Sequence, residues 1–199
     1  MSTSSIKKHM DRVLAPLGFA RKGLLWNRTS DSLVEVIDLQ VSKAGDSVTV
    51  NAGVFDPDLY AQVWGTPWQA AMVEEPRCAV RNRIGMLAGD RDQWWSVDDP
   101  EAANRIGEAL TRYVLPFLLD SRSPMVMERT LEKMSPRYPL PRLHLAVLKH
   151  RRGDVQGACA VLLELQERAL GGWRDKAADL AIRLGCAQVT AACPEACGG

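Results

Sequence analysis

The amino-acid sequence predicts an α+β protein in which an antiparallel sheet is followed by helices. Residues 21–54 contain three segments rich in alternating or β-branched residues, and short turn-forming stretches separate them. Beyond residue 120, apolar residues recur at helical spacing and no strand pattern returns. We therefore expect a domain over residues 1–120, with a sheet of four to five strands and flanking helices. An all-α C-terminal extension that contains a TPR-like helical hairpin is expected over residues 121–199.

The first part of the chain begins with a helix and a meander of strands. Ile6, Met10 and Leu14 recur at helical spacing, which predicts a helix from Thr3 to Leu14. Strands are predicted over residues 21–28, 33–41 and 47–54. The stretches between them are rich in Ser, Asp and Gly, so short antiparallel connections are expected.

The remainder of this part contains an unusually long connection. Residues 56–76 carry three prolines and two tryptophans, and a connection of this length is often functional. A fourth strand is predicted over residues 78–87 and a short fifth over 93–96. Asp99 and Pro100 begin a helix that Pro116 is expected to kink or end. The buried stripe of this helix is predicted to contain Ile106, Leu110, Tyr113, Val114 and Phe117.

The core is predicted from residues that alternate on the strands or repeat on the helices. Nearly complete burial is expected for Ile37, Leu39, Val48, Val50, Val54, Ile84, Ile106, Leu110 and Phe117. Trp94 and Trp95 are adjacent on a predicted strand, so their side chains point to opposite faces. One of the two is therefore expected in the core and the other at its rim.

Proline and glycine divide the helical second part. Pro124 begins a helix that prolines at 136 and 139 interrupt, and Asp154 is expected to cap a later helix. Further helices are predicted over residues 143–151 and 173–184, followed by a disordered tail from about residue 187.

Charge and hydropathy exclude several classes of protein. The chain has 25 Lys and Arg against 24 Asp and Glu, so attraction to nucleic-acid phosphates is expected to be weak. No apolar run reaches the ~18 residues of a membrane helix, and the first residues lack the apolar core of an export signal. We therefore expect a cytoplasmic protein that does not engage membranes.

The chain contains five cysteines, and an odd number without an export signal indicates free thiols in a reducing compartment. Cys193 and Cys197 form a pair with three residues between them in a tail of small residues, but a zinc site requires two more ligands. Oxidation of a frayed tail is the alternative, and no metal site or cofactor is predicted.

Polar residues at alternate strand positions predict a shared sheet face. Asp38, Gln40 and Asn51 oppose apolar neighbours on their strands, as do Arg81 and Arg83 on the fourth predicted strand. These residues are expected to lie together, with Trp26 or Trp94 beside them and the 56–76 connection flanking the face. Arginine binds planar anions and tryptophan supplies rigid contact area, so the face is a candidate recognition surface. The alternative is the ordinary wet face of an antiparallel sheet, with the arginines paired to Asp38 or Glu35.

No nucleophile, zinc or phosphate-loop motif is present, and aspartates near Trp94 are explained by an acidic loop and a helix cap. The basic run at 149–152 lies at the C-terminal end of a helix, where cations complement the helix dipole. A contact for an acidic partner is the alternative. Two functional hypotheses remain. The first is a non-enzymatic binding module, in its most concrete form a bacterial immunity or antitoxin-like protein that covers a toxin or effector. The second is a protein that binds a small anionic ligand or nucleotide, with or without catalysis, through Gln40, Asn51, Arg81 and Arg83.

The order and spacing of several short segments support a family resemblance. The segments are Leu17–Lys22 followed by Trp26, Leu39–Gln40, Val48–Asn51 with Gly53, Cys78 with Arg81 and Arg83, and Trp94–Trp95. Over roughly residues 5–120 the chain resembles a bacterial family catalogued as a domain of unknown function, DUF4304. The resemblance implies one α+β domain, and it brings no established activity, cofactor or catalytic residue.

Overall fold

The computed structural model describes residues 3–89, 91–134 and 137–186. They divide into two compact units. Unit 1 contains the described residues of the ranges 1–57 and 69–123, and unit 2 those of 58–68 and 124–199. Residues 58–68 thus belong to the helical unit, although the sequence pattern placed them in the domain over residues 1–120. The tail expected to be disordered lies outside the described residues, as do Cys193 and Cys197.

The described part of unit 1 is an α+β fold, which confirms the predicted class. Its helices are α1 (Thr3–Leu14), α3 (Ile84–Gly89), α4 (Ala102–Ala109) and α5 (Leu115–Asp120), with short 3-10 turns over Ala15–Leu17 and Glu75–Arg77. Its strands are β1 (Ala20–Lys22), β2 (Leu25–Ser30), β3 (Leu33–Val41), β4 (Ser47–Phe55), β5 (Val80–Arg83) and β6 (Trp95–Ser96).

The strands form one six-stranded antiparallel sheet. Strands β1 to β5 are neighbours in chain order, and β6 also pairs with β4. Residues directly opposite each other share a face of the sheet. Asn27, Val36, Gly53 and Arg81 therefore form one row across β2 to β5. Leu25, Asp38, Asn51 and Arg83 form the next row on the same face. We call this face the polar face.

Two predicted strands differ from those in the structure. The strand predicted over residues 21–28 is the hairpin of β1 and β2, with Gly23 in the left-handed conformation at its turn. The strand predicted over 78–87 is wrong beyond Arg83, because α3 begins at Ile84. Ile84 is fully buried, and a short apolar run does not distinguish a buried strand from a buried helix.

The long connection after β4 is more ordered than its composition indicated. It begins with helix α2 (Pro57–Trp64) and later includes the 3-10 turn over Glu75–Arg77. Residues 69–79 follow α2 and include the 3-10 turn. Val73 binds Asn27 of β2 and the 3-10 turn contacts β3 and β4, so this segment crosses the polar face of the sheet. We call residues 69–79 the strap.

The opposite face of the sheet carries the core of unit 1. Helix α1 packs against α4, and apolar side chains of β3 and β4 point away from the polar face. The structure confirms nearly complete burial of Ile37, Leu39, Val48, Val50, Val54, Ile84, Ile106 and Leu110.

The prediction that Phe117 is buried was wrong, because the helix changes its period. A π-helical segment, Leu110–Val114, joins α4 to α5. One extra residue in a turn rotates the following side chains by about 100°. The buried residues are therefore Val114 and Leu118, while Tyr113 and Phe117 are only half-buried. Pro116 does not end the helix; it lacks the N–H that would bond to the Arg112 carbonyl, and this carbonyl lies in the wider π-helical turn.

The helix before this segment begins later than expected. Helix α4 starts at Ala102 rather than at Pro100. Asp99 still binds the start of the helix, because its Oδ1 accepts a hydrogen bond of 2.9 Å from the backbone N–H of Glu101. The same carboxylate pairs with Arg105 at 3.1 Å.

A buried carboxylate connects β3 to two other parts of unit 1. The side chain of Glu35 is fully buried, and its two oxygens pair separately with Arg28 at 2.5 Å and Arg122 at 2.8 Å. Arg28 lies opposite Glu35 on β2, and Arg122 follows α5. Glu35 therefore joins the sheet to the end of the last helix of the unit, on the face opposite Arg81 and Arg83. The alternative in which Glu35 pairs with those two arginines is wrong.

Unit 2 consists of packed helices in its described part. They are α2, α6 (Pro124–Lys133), α7 (Pro139–Arg151), α8 (Val155–Arg168) and α9 (Gly172–Arg183). Helices α7 and α8 form the expected hairpin, and the Asp154 carboxylate caps α8 by accepting from the Gly157 N–H at 2.9 Å. Within this unit, the Arg183 guanidinium donates to the backbone carbonyls of Gln62 and Val63 near the end of α2. Trp173 contacts Trp64, with ring centroids 6.1 Å apart.

The expectation of free thiols is wrong for two of the cysteines. Cys159 of α8 and Cys186, shortly after α9, form a disulfide. The other described cysteine, Cys78, is free and buried. The parity of the cysteine count could not reveal this pair, because helix packing brings together two residues 27 positions apart. Among the described residues, no helix is long and apolar enough to span a bilayer.

The shift in helical phase predicts a difference between two adjacent substitutions. We expect Leu118→Ala to lower the free energy of unfolding by about 2–5 kcal/mol, because a fully buried side chain leaves a cavity. Phe117→Ala should cost less, since the Phe117 ring is only half-buried. Chemical denaturation of both variants measures the difference, and an equal or reversed order would contradict the π-helical phase.

Removal of the Glu35 charge should destabilise unit 1. We expect Glu35→Gln to lower the free energy of unfolding by about 3 kcal/mol, because both arginines lose a buried partner. Glu108→Gln is the matched control, since Glu108 is exposed and the same charge is removed. Urea denaturation compares the two variants. Equal losses would show that Glu35 does not hold these elements together.

Candidate functional site

The structure brings together five of the six residues predicted for the site. Asp38, Asn51 and Arg83 lie in one row of the polar face because β3, β4 and β5 pair in that register. Gln40 lies two residues beyond Asp38 on the same side of β3. Trp94 precedes β6 and approaches Arg83 from the loop after α3. We call these five residues together with Asp92 the polar network.

Asn51 is the centre of the polar network. Its Nδ2 donates to Oε1 of Gln40 at 3.0 Å and to Oδ2 of Asp38 at 3.3 Å. Its Oδ1 accepts from Nε of Arg83 at 3.1 Å. An amide is both a donor and an acceptor, so Asn51 can join a carboxylate on one strand to a guanidinium on another. Its own exposure is 9%, which places these hydrogen bonds at the edge of the protein interior.

Arg83 extends the network to the surface. Its two terminal nitrogens donate to Asp92 at 2.7 Å and to Gln40 at 3.3 Å. Its guanidinium lies 5.5 Å from the centroid of the Trp94 ring, and Nε1 of Trp94 donates to the same Asp92 carboxylate at 3.1 Å. These hydrogen bonds, from Arg83 and then Trp94, lower the pKa of Asp92. The side chain of Arg83 is nevertheless 31% exposed, so a fixed guanidinium remains accessible.

Arg81, the sixth predicted residue, is on the polar face but outside the network. It lies in the neighbouring row and pairs with Glu75 of the strap at 3.1 Å. Both predicted arginines therefore have a carboxylate partner, and in each case it lies outside the strands. The cross-strand pairs expected with Asp38 or Glu35 do not form in either case.

The strap covers the row that contains Arg81. Asn27 of β2 holds it through two hydrogen bonds: Nδ2 donates to the Val73 carbonyl at 3.1 Å, and Oδ1 accepts from the Val73 N–H at 2.6 Å. Cys78 lies over Gly53, where an added Cβ would approach the Cys78 side chain to 2.6 Å. Sequence reasoning missed Asn27, Val73 and Glu75. A glycine inside a strand does signal close approach of another segment, and Gly53 was that signal.

Burial raises the pKa of two carboxyl groups at this site. For Asp38, burial outweighs the hydrogen bond from Asn51, and repulsion from Glu74 adds to the increase in pKa. For Glu75, burial outweighs the attraction of Arg81, and Asp38 adds repulsion. Ionised Asp38 and Glu75 therefore both reduce the stability of the folded state. Carboxyl groups whose pKa is shifted by burial and charged neighbours are enriched at functional sites.

The tryptophans occupy two different environments. Trp95 is buried and Trp94 is half-buried, which confirms that adjacent residues there point to opposite faces. Either Trp26 or Trp94 was expected beside the polar residues, and Trp26 does not lie there. Its register with Ile37 places it on the core side, where it is fully buried and donates to Asp11 at 2.9 Å.

The basic run of α7 has partners within unit 2. Lys149 pairs with Glu128 at 3.2 Å and with Glu132 at 2.7 Å, and Arg152 pairs with Asp154 at 3.0 Å. The hydrogen bond to Glu132 is the largest factor that raises the pKa of Lys149. These contacts favour a structural role for the run over a contact for an acidic partner. Within the described ranges, no group of three His, Cys, Asp or Glu side chains is placed to hold a metal ion.

The fold and the site together define an α+β domain with a hydrogen-bonded network on one sheet face. The family model described as a domain of unknown function, DUF4304, matches residues 10–119, which is more than half of the chain. The chain therefore belongs to this family. No curated protein sequence and no solved structure is significantly similar to it.

The raised pKa of Asp38 predicts a stabilising substitution. A raised pKa in the folded state gives stability below the ordinary pKa of about 3.8, and this stability is lost as the pH rises through the folded-state value. Asp38→Asn should therefore raise the free energy of unfolding at pH 7. The gain should be less than about 1 kcal/mol, since water partly screens the carboxylate.

Urea denaturation of wild type and Asp38→Asn from pH 3 to pH 7 measures this effect. The difference should grow with pH. A variant that is less stable than the wild type at pH 7 would show that ionised Asp38 stabilises the network.

Proposed function

We propose that this protein is a non-enzymatic binding module that engages a partner protein through the polar network. The observation that carries the proposal is the state of Arg83. Three of its N–H groups are held by Asn51, Gln40 and Asp92, while the side chain remains partly exposed beside Trp94. A pre-organised arginine next to a tryptophan suits a protein interface, because these residues are enriched at the positions that dominate binding energy.

The charge balance favours a protein partner over a small anion. Asp92 neutralises Arg83, and Glu75 neutralises Arg81. An anionic ligand would have to compete with both carboxylates and would also meet Asp38 in the same row. Binding of a nucleotide or other small anion is therefore the less supported hypothesis, and the experiment below includes it as an outcome.

The side chains at the site also support binding rather than catalysis. Gln40 and Asn51 supply amides, which do not ionise at ordinary pH and so do not act as general acids or bases. Cys78 belongs to the strap, but burial raises the pKa of its thiol well above the ordinary value, which disfavours the nucleophilic thiolate. The concrete form of the proposal is an immunity or antitoxin-like protein that covers the active site of a toxin or effector.

Substitutions in the network should abolish partner binding without unfolding the protein. We expect Arg83→Ala/Trp94→Ala to weaken the complex by more than about 30-fold, the loss that corresponds to an interface position worth about 2 kcal/mol. The matched control is Arg112→Ala/Tyr113→Ala. This control also removes an arginine and an aromatic side chain from unit 1. The Arg112 guanidinium lies 5.3 Å from the centroid of the Tyr113 ring.

The partner is to be identified by co-purification with the wild-type chain from its native cells, and its Kd measured by calorimetry with each variant. A complex that both double variants weaken equally, or neither weakens, would contradict the proposal. A thermal-shift screen of nucleotides, sugar phosphates and carboxylates provides a second test. The proposal would also be contradicted if one of these compounds stabilised the wild type and Arg83→Ala/Trp94→Ala abolished that stabilisation. That result would favour a small anionic ligand.

A further inference from the structure

The strap lies on the polar face as a bound peptide would. Residues 69–74 have neither helical nor strand structure, and the strap crosses the row formed by Asn27, Val36, Gly53 and Arg81. Val73 and Glu75 are buried, with exposures of 3% and 8%, whereas Glu74 between them is exposed. The backbone is extended at Glu74 (φ -82°, ψ 144°), and the 3-10 turn begins at Glu75, so the extended part of the strap ends with Val73 and Glu75 against the sheet.

Two of its contacts are of the kind that recognises extended peptides. Asn27 binds both the N–H and the carbonyl of Val73, so it recognises the backbone of one residue whatever its side chain. Arg81 binds the carboxylate of Glu75, two residues further along. The first contact provides affinity for extended backbone, and the second requires an acidic side chain at a fixed distance.

The strap is nevertheless a poor occupant of this row. Glu75 is desolvated beyond what Arg81 compensates, and it faces repulsion from Asp38. Glu74 adds to the repulsion on Asp38. The strap therefore brings two carboxylates towards a third, and a segment without the charge of Glu74 would avoid part of this cost. A segment with a basic residue at that position would gain attraction instead.

We propose that the strap occupies a peptide-binding groove in cis, and that the partner protein displaces it with an extended segment of its own. The groove consists of Asn27, Val36, Gly53 and Arg81. The partner's segment carries an apolar residue in the place of Val73 and a carboxylate two residues later, with a neutral or basic residue between them. The inference rests on the proposed function, because it specifies how a partner protein reaches the row beside the polar network.

A variant that releases the strap tests the groove without the partner. Val73→Pro removes the N–H that donates to Asn27, and Glu75→Ala removes the carboxylate that Arg81 binds. The groove side chains that make these two contacts, Asn27 and Arg81, remain intact in this full-length double variant. The probe is a fluorescent, acetylated and amidated peptide with the sequence of residues 71–77, AMVEEPR. A second probe, AMVKEPR, places lysine at the position of Glu74.

We expect the double variant to bind AMVEEPR at least about 10-fold more tightly than the wild type does, and AMVKEPR more tightly still at low salt. Addition of Asn27→Ala to the double variant should abolish binding of both peptides. Failure of the folded double variant to bind either peptide would overturn the inference. Equal binding by the variant with and without Asn27→Ala would overturn it as well.

Hydrogen exchange of the wild type provides a second measurement that needs no variant. The amide of Val73 should exchange at least about 10-fold faster than the slowest amides of β4, because the strap opens without unfolding of the sheet. Equal exchange rates would show that the strap is an inseparable part of the core, which would also overturn the inference. Neither result depends on Arg83 or Trp94, so failure here is distinguishable from failure of the proposed function.

Discussion

The pairing of β3 with β4 is the constraint on which the rest of unit 1 depends. In this register Leu39 lies opposite Val50 and Asp38 lies opposite Asn51. A shift by one residue would turn the apolar side chains of one strand to the polar face and bury the polar ones in the core. The same register aligns Val36 with Gly53, which leaves room for the strap on that face. Core, polar network and groove are therefore three consequences of one alignment.

The assignment of polar residues to one face of the sheet could be predicted from the sequence, because alternate residues of a strand point to opposite faces. Asp38, Gln40, Asn51 and Arg83 were assigned to one face from alternation alone, and the structure places them in one network. The prediction was wrong where periodicity carried no information. Phe117 fits an α-helical period, but the π-helical segment changes that period, and no residue of the segment signals the change. Asn27 and Val73 meet across 46 positions, a distance at which local patterns give no warning.

The polar face combines exposed and buried polar groups. The side chains of Arg81 and Arg83 are 50% and 31% exposed, whereas Asn27, Thr49 and Asn51 are at most 9% exposed. Buried amides and carboxylates stabilise a fold only where their hydrogen bonds are complete. For Asp38 and Glu75 burial outweighs the compensating contacts, as the raised pKa of each group shows. Both carboxylates therefore lower the stability of the folded state once they are ionised.

The attachment of the strap limits how a partner could displace it. After the strap, the chain enters β5, whose backbone pairs with β4 as part of the sheet. Displacement must therefore lift the middle of the strap from the sheet while its C-terminal end stays in place, and the contacts broken are those of Val73 and Glu75. A competing segment with an apolar residue in the place of Val73 and a carboxylate in the place of Glu75 would restore both contacts. The main free-energy cost of the exchange is then the ordering of the incoming chain. Weaker repulsion on Asp38 offsets part of this cost.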